Sequence, residues 1–194
     1  MRQLSVQEKN TALAIARSCF EESINHQFLF GERLFGWRFN LFLRRSIRFA
    51  RKKNGAFIAN DGRGVVLIIP VTSSSTSYQP INWWSSLLFI PFQRLVAVNR
   101  FQRTIRSFQP AEPHLHFLLL ATQERQQGIS AIIEMRDDLF AMSELMQLPI
   151  YAQTSSKRAR DLYERFGFTT YAQTPIPGSS EQLYFVKRVP PATV

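Results

Sequence analysis

The sequence contains a single cysteine, Cys19, among its 194 residues, so no disulfide can form within the chain. It opens without the charged segment, apolar core and small-residue cleavage site of a secretory signal peptide. Its longest near-apolar stretches, 64–71 and 83–92, are well short of the roughly 20 residues that a membrane-spanning helix needs. We therefore expect a cytoplasmic protein without a transmembrane segment.

Acidic residues are scarce in one part of the chain. Between Arg33 and Ala111 there are thirteen Lys or Arg residues and one acid, Asp61, in a protein whose formal net charge is +10. Such an asymmetry suits a nucleic acid, an anionic membrane surface, or a polyanionic small molecule such as a phosphorylated cofactor. Composition alone leaves these three options open.

Apolar residues are plentiful. They make up 45% of the chain, aromatic residues make up 13%, and charged residues only 20%, which favours a buried core over disorder. A chain of 194 residues is long enough for one such core and short for two. We therefore expect a single domain over 1–194.

Helical periodicity marks three segments in the first half of the chain. Ser5, with Glu8 three residues on as in a capping box, predicts the start of a helix that ends near Ser23. A second helix is predicted over 34–52, where phenylalanines and arginines fall on different sides. A third helical pattern runs over 84–108 and is interrupted by Pro91.

Strand patterns accompany these helices. Two apolar runs, 56–60 and 65–70, flank Asp61-Gly62, a pair typical of tight turns between antiparallel strands. The remaining predicted elements are a strand over 114–122, a long helix from 129 that Pro149 stops, a strand over 150–154, a helix over 155–166 with Ser155 or Ser156 as N-cap, and one or two strands that include 181–189.

The stretch LLLATQERQQGIS, 118–130, places a glycine turn between a predicted strand and a predicted helix. The first amides of a helix have no partner within the helix, and the helix dipole is positive there, so such a turn suits an anion. Gly128 would let a large anion approach the backbone. A single glycine before a helix is more often ordinary turn chemistry, so this motif alone leaves both interpretations open.

Two motifs that follow one another along the chain favour the interpretation of this turn as an anion-binding site. LLLATQERQQGIS has Arg125, Gly128 and Ser130 at the marked positions of R/Q-x-x-G-x-G/A, and LPIYAQTSSKRARDLYERFGF, 148–168, ends in a Tyr-Glu-x-x-Gly-Phe pattern. In both respects the chain resembles the GNAT superfamily of acetyl-CoA-dependent acyltransferases. The resemblance covers 114–168 closely, whereas the upstream helices and hairpin agree only in their order.

The resemblance implies an α/β fold with a central mixed, mostly antiparallel sheet of six or seven strands and helices on both faces. It implies a parallel pair formed by the strands near 115–121 and 150–154, whose separation makes the cleft for acetyl-CoA. The residues whose backbone it implies for the pyrophosphate of coenzyme A are Arg125, Gln126, Gln127, Gly128, Ile129 and Ser130. The main chain of Leu118, Leu119 and Leu120 would bind the pantetheine arm and the acetyl carbonyl.

The same resemblance implies roles for two side chains. Tyr163 aligns with the tyrosine that protonates the departing thiolate, although a half-buried packing residue is the alternative. Ser156 stands where the family commonly has an asparagine that contacts the cofactor, and Ser130 stands where the family prefers Gly or Ala. Both serines depart from the family pattern without disabling it chemically.

The general base is not identified by the sequence. His114 and His116 share one face of a predicted strand beside Glu112, and they are either a base, a metal pair without an evident third ligand, or ordinary strand histidines. Another cluster at the expected substrate end comprises Glu21, Glu22 and His26. We expect no metal site.

The resemblance implies an N-acetyltransferase that transfers an acetyl group from acetyl-CoA to a primary amine of a small-molecule or peptide acceptor. The alternative is a catalytically weak acyl-CoA-binding or interaction module of the same fold. Nucleic-acid or membrane binding through the helix over 34–52 is less favoured, because its phenylalanine face also suits a packed core. The oligomeric state is left open, and a homodimer is one option.

Overall fold

A computed structural model describes residues 1–20, 35–71, 95–123 and 129–192. Seven strands form a single sheet, and five helices pack on it within these ranges. The strands are β1 (Arg2–Gln3), β2 (Ala56–Ile58), β3 (Gly64–Val71), β4 (His114–Thr122), β5 (Ile150–Thr154), β6 (Thr169–Pro175) and β7 (Gln182–Arg188). The helices are α1 (Lys9–Phe20), α2 (Phe35–Lys52), α3 (Leu95–Ser107), α4 (Ile129–Met146) and α5 (Lys157–Arg165).

The sheet has the order β1-β2-β3-β4-β5-β7-β6. Every neighbouring pair is antiparallel except β4 and β5, which are parallel. The predicted mixed, mostly antiparallel sheet and its one parallel pair are therefore confirmed. A parallel pair needs a crossover, and α4 supplies it between β4 and β5.

Three helices lie on one face of the sheet. Alternate residues of a strand point to opposite faces, and Val65 and Leu67 of β3 pack in one core cluster with α1 and α2. A second cluster on the same face joins Phe101 and Ile105 of α3 to Phe185 of β7. We call this side of the sheet the α1–α3 face.

The other two helices cover the opposite face. Val66 of β3, Phe117 of β4 and Val186 of β7 pack in one cluster with Met135 and Leu139 of α4. Residues of α5 and the loop after it complete this cluster, which we call the α4–α5 face. The prediction of helices on both faces is confirmed.

The hairpin formed by β2 and β3 follows its predicted pattern. Gly62 in the turn has φ 73°, a left-handed conformation that glycine adopts without strain. Gly55 precedes β2, and an added Cβ there would overlap the carbonyl oxygen of Ile68. The Gly55 N–H donates to the Ala50 carbonyl at 2.8 Å, and the Gly55 carbonyl accepts from the Ile68 N–H at 2.7 Å. A close backbone approach therefore requires glycine at 55.

Some predicted boundaries differ from the structure. The Ser5–Glu8 capping box forms, with the Glu8 N–H donating to Ser5 Oγ at 3.3 Å, but it closes a turn and α1 begins only at Lys9. The short strand β1 was not predicted, because two residues carry no pattern. The predicted end of the first helix near Ser23 and the start of the third helical pattern lie outside the described residues. No helix in the described ranges is long and apolar enough to cross a membrane.

Candidate active site

The parallel strands β4 and β5 are paired only briefly. Their pairing begins at Leu115 with Ile150 and ends at Phe117 with Ala152. Beyond that point β4 stays paired with β3, and β5 stays paired with β7. The two strands therefore separate after Phe117. Within the described residues, the edge of β4 that faces this separation has no strand partner.

A β-bulge marks the start of the separated stretch. Leu67 of β3 is opposite Leu119, whereas the next residue of β3 is opposite Phe117, so Leu118 is an extra residue in β4. Leu119 is buried against α1 and α2, while Leu120 packs toward the α4–α5 face. The three leucines named for the pantetheine arm therefore lie along the unpaired edge, and their role in binding stays a prediction.

A cavity of about 140 Å³ lies beside this edge, between β4 and the helices α4 and α5. Its lining is almost entirely apolar and includes Phe117 and Leu120 of β4, Ile132 and Arg136 of α4, and Ala159 and Tyr163 of α5. The Arg136 guanidinium lies over the ring of Phe166, 4.8 Å from its centroid, and donates to the carboxylate of Asp137. The space suits the apolar part of a ligand rather than a charged group.

Tyr163 stands on the wall of this cavity. Its ring meets Phe117 edge to face with 6.1 Å between centroids, and it contacts Phe168 with 5.3 Å between centroids. Burial raises the pKa of the Tyr163 phenol above its ordinary value, so the hydroxyl keeps its proton at neutral pH. The hydroxyl has no hydrogen-bond partner in the described part of the chain. The predicted acid thus lies next to the point where the strands separate.

The predicted anion-binding turn falls mostly outside the described residues, which exclude Arg125, Gln126, Gln127 and Gly128. The structure does describe the helix that follows. Ile129 is the first residue of α4, Ser130 is exposed in its first turn, and that turn contains no acidic residue. The start of α4 therefore carries no carboxylate that would oppose an anion.

Ser156 is the N-cap of α5, one of the two serines predicted for that position. Its Oγ accepts from the Ala159 N–H at 3.2 Å, and its own N–H donates to Thr154 Oγ1 at 3.1 Å. The residue is exposed. Its cap bond occupies one acceptor site and leaves the hydroxyl proton available, so a cofactor contact stays a prediction.

A polar cluster lies on the α1–α3 face, opposite Tyr163. His116 pairs in register with Tyr151, and the ring of His114 lies 5.2 Å from that of Tyr151 and 6.1 Å from that of His116, centroid to centroid. The Tyr151 hydroxyl donates a short hydrogen bond to the carboxylate of Glu112. Because Phe117 points toward Tyr163, the adjacent His116 flanks the same separation from the other side.

The protonation states in this cluster follow from burial and hydrogen bonding. The His114 Nδ1 lies 2.7 Å from the Glu112 carbonyl oxygen, which can only accept, so Nδ1 carries the proton and Nε2 keeps its lone pair. Burial lowers the pKa of His114 and lowers the pKa of His116 to about 3. Burial, and then the bond to Glu112, raise the pKa of Tyr151. Both imidazoles are therefore neutral near pH 7.

No group of three or more His, Cys, Asp or Glu side chains is placed to hold a metal ion within the described ranges. The second sequence cluster, Glu21, Glu22 and His26, lies outside those ranges.

The sequence did not predict that Tyr151 and the Glu112 carboxylate form a hydrogen-bonded pair at the site. A signal for Tyr151 was present, because the predicted parallel pairing of 115–121 with 150–154 sets it beside one of the two histidines. The bond to Glu112 carried no such signal, since it depends on the path of the loop that enters β4.

Comparison with models of known families gives no match, and comparison with curated proteins gives none either. Solved structures do match. The structure named histone acetyltransferase HPA2 and related acetyltransferase from Corynebacterium glutamicum is 18% identical, with a TM-score of 0.66, and the match covers 99% of this chain and 96% of that one. Arylalkylamine N-acetyltransferase 2 from Aedes aegypti is 13% identical, with a TM-score of 0.60 and 97% coverage of both chains.

A third match names the fold family. A protein from Desulfovibrio desulfuricans assigned to the GNAT family of acetyltransferases is 11% identical, with a TM-score of 0.56, and the match covers 97% of this chain and 96% of that one. The chain therefore has the GNAT fold, as the resemblance in its sequence implied. At these identities the likeness concerns the fold.

Proposed function

We propose that this protein is an N-acetyltransferase that moves the acetyl group of acetyl-CoA to a primary amine. The observation that carries the proposal is the early end of the β4–β5 pairing at Phe117, which exposes main-chain groups of β4 beside an apolar cavity and Tyr163. Solved proteins of this fold that are named as acetyltransferases, including one named for arylalkylamines, support it.

The donor would enter from the α4–α5 face. We propose that residues 125–128 and the first amides of α4, at Ile129 and Ser130, bind its pyrophosphate, because amides at a helix start have no partner within the helix. The pantetheine arm would follow the unpaired edge of Leu118 to Leu120, where a strand edge offers alternating N–H and C=O groups. The cavity then receives the apolar end of the arm.

The reaction begins when the amine nitrogen attacks the carbonyl carbon of the thioester and forms the new C–N bond. A main-chain N–H on the unpaired edge of β4 would stabilise the oxyanion that develops on the carbonyl oxygen. Holding both reactants in one cleft supplies much of the rate gain, because the step becomes effectively unimolecular. The C–S bond then breaks and releases coenzyme A.

Tyr163 is proposed to donate to the sulfur as that bond breaks. Its raised pKa keeps the phenol protonated at neutral pH, so a donor is present when negative charge develops on the sulfur. The amine loses one proton and the thiolate gains one. The phenolate regains its proton from solvent, and the base that accepted the amine proton releases it to solvent, so both groups are restored in each cycle.

The acceptor would approach from the α1–α3 face, because the donor is proposed to enter from the α4–α5 face. His114 is the proposed proton acceptor on that side, because it is neutral near pH 7 and has its lone pair on Nε2. Burial lowers the pKa of His116 to about 3, which makes that imidazole a weak base. His116 flanks the separation of the strands. His114 lies two residues before it in β4, on the same face and farther from the separation.

Two properties of the whole chain belong to the same proposal. We take 1–194 as one domain, because every described strand joins a single sheet. We propose a reducing, cytoplasmic setting, because the sequence contains one cysteine, Cys19, and a disulfide within the chain requires two.

The proposal is tested by incubating the protein with acetyl-CoA and a panel of primary amines, while free thiol and acetylated amine are measured. Calorimetry with acetyl-CoA runs in parallel. Equal amounts of thiol and acetylated amine would support the transferase. Tight binding without transfer to any amine would instead favour an acyl-CoA-binding module. Absence of both would contradict the use of this cleft for coenzyme A.

A further inference from the structure

The three helices on the α1–α3 face contain no acidic residue. Together α1, α2 and α3 carry eleven Lys or Arg residues and no Asp or Glu. The two helices on the other face are nearly balanced, with six acidic and five basic side chains in α4 and α5. The excess positive charge of these helices is therefore concentrated on the side from which the acceptor is proposed to approach.

Two rows of exposed cations stand on this face. Arg44, Arg48 and Lys52 follow each other at four-residue steps along α2, so they share one side of the helix. None of the three forms an ion pair within the described ranges. Salt bridges at other arginines, such as Arg160 with Asp161, show that this protein does pair cations where acids are near.

The second row lies on α3. Arg100, Arg103 and Arg106 are exposed at three-residue steps, opposite the side through which Phe101 and Ile105 pack on the sheet. These three arginines also form no ion pair in the part of the chain that the structure describes. As far as the described residues show, the row is exposed and open to an external anion.

The two rows lie on opposite sides of the strand separation. Helix α2 packs over β2 and β3, α1 packs over β3 and β4, and α3 packs over β7 and β6, so α1 and the strands β4 and β5 lie between the two rows. Adjacent strands are about 4.8 Å apart, so β3 and β7 are separated by roughly 14 Å. A ligand that reaches both rows must therefore be longer than a small amine.

We propose that the acceptor amine is carried by an acidic peptide segment, which lies on the α1–α3 face and contacts the cations of α2 and α3. This inference rests on the proposed function, because only an amine acceptor makes this face a substrate surface. An extended peptide places every second side chain about 6.6 Å apart, close to the 6 Å between residues four apart on a helix. Guanidinium groups bind carboxylates through paired hydrogen bonds.

The same charge argues against other acceptors. Polyamines, aminoglycosides and lysine-rich tails carry several positive charges, and a field of one sign repels them from the cleft. A nucleic acid matches the charge but has no aliphatic primary amine to receive an acetyl group. Binding of a nucleic acid to this face would therefore count against the proposal.

The test compares three peptides of equal length with a free N-terminal amine and no lysine. They differ only in whether the residues after the first are Asp and Glu, Ser and Gln, or Arg. We expect kcat/KM to be at least about tenfold higher for the acidic peptide than for the arginine peptide at low ionic strength. The preference should shrink near 0.15 M salt, where charges are screened beyond about 8 Å.

Charge-reversal variants locate the effect. Arg48→Glu/Arg103→Glu places one acid in each row, and we expect the ratio of acidic to arginine peptide to fall at least about fivefold. Arg158→Glu/Arg165→Glu makes the same change in net charge at two exposed positions on α5, on the other face. Its ratio should stay near that of the wild type. The KM for acetyl-CoA and the circular dichroism of both variants establish that they are folded.

The outcomes separate this inference from the proposed function. Transfer that prefers the acidic peptide and loses this preference only in the α2/α3 variant supports the inference. Equal transfer to all three peptides, or a preference for the arginine peptide, overturns it and leaves the acetyltransferase intact. A single-stranded oligonucleotide that binds through Arg48 and Arg103, without any peptide preference, also overturns it. Failure to acetylate any amine overturns both the proposed function and this inference.

Discussion

The rings of Phe117 and Tyr163 meet edge to face, with 6.1 Å between their centroids, where the strands β4 and β5 separate. Phe117 is the last residue of β4 that pairs with β5, so this contact positions the phenol beside the separation. Such aromatic pairs stabilise their geometry by about 1 kcal/mol beyond the burial of apolar area. Tyr163 therefore packs against Phe117 through its ring and is also the candidate acid through its hydroxyl.

Removing the Tyr163 hydroxyl separates these two roles. Tyr163→Phe keeps the ring contacts and deletes only the proton donor, so we expect kcat to fall on the order of 10²-fold. Binding of acetyl-CoA, measured by calorimetry, should change little. Tyr184→Phe is the control, because the ring of Tyr184 contacts the same helix through Arg160, at 4.9 Å. An unchanged kcat in Tyr163→Phe would show that another group protonates the thiolate.

Filling the cavity should block the donor without harming the fold. Ala159 lies on the cavity wall in α5, and Ala159→Leu adds three carbon atoms there while keeping a strong helix former. We expect the Kd for acetyl-CoA to rise at least about tenfold, with no loss of thermal stability. Ala141→Leu makes the same change at an exposed position of α4 and should bind as the wild type does. Equal affinity in all three proteins would place the donor outside this cavity.

Two buried helix serines should respond oppositely to alanine. Ser46 in α2 is 1% exposed and its Oγ has no hydrogen-bond partner in the described structure, whereas Ser143 in α4 is 0% exposed and donates to the Leu148 carbonyl at 2.6 Å. Ser46→Ala should raise the free energy of unfolding by about 1 kcal/mol, and Ser143→Ala should lower it by about 1 to 2 kcal/mol. Alanine is a stronger helix former than serine at both positions, so this gain cancels when the two variants are compared with each other.

Urea denaturation measures this pair directly. If both substitutions shift the unfolding midpoint in the same direction, the difference in hydrogen bonding between Ser46 and Ser143 does not determine their contributions to stability.

Buried His116 should make the protein less stable in acid. Its pKa is about 3 in the folded protein and near 6.5 in the unfolded chain, so between these values only the unfolded chain binds the proton. Stability is therefore fully present above pH 6.5 and is lost as the pH falls toward 3, by at most about 1.4 kcal/mol per pH unit for this residue. His114, whose pKa burial also lowers, acts in the same direction.

Unfolding measured between pH 7.5 and pH 4.5 tests this dependence. His116→Gln replaces the imidazole with a side chain that does not titrate, so the slope of stability against pH should decrease in that variant. A slope equal to that of the wild type would show that His116 is protonated in the folded state as well.

Local patterns predicted most of the described fold. Asp61-Gly62 predicted the hairpin, and apolar periodicity predicted β4, α4 and β5 as separate elements, whereas the parallel pairing of β4 with β5 was implied by the family resemblance. The hairpin and the three elements depend on turn chemistry and periodicity, which neighbouring residues determine. Strand β1 was missed because its pairing of Arg2 with Ile58 joins residues far apart in sequence.

The candidate site was less accessible from the sequence. Tyr163 and the two histidines were found by motif and spacing, but their positions on opposite sides of one separation depend on the register of β4 against β5. The low pKa of His116 follows from burial that several elements create together. The cavity likewise exists only where α4 and α5 pack beside β4, so no single segment encodes it.

A crystal structure grown with acetyl-CoA tests the central claim most directly. The account predicts the pyrophosphate at the start of α4, the pantetheine arm along the free edge of Leu118 to Leu120, and the thioester sulfur within hydrogen-bond distance of the Tyr163 hydroxyl. Acetyl-CoA bound elsewhere on the protein, or a β4–β5 separation closed by the protein's own side chains at saturating acetyl-CoA, would contradict it.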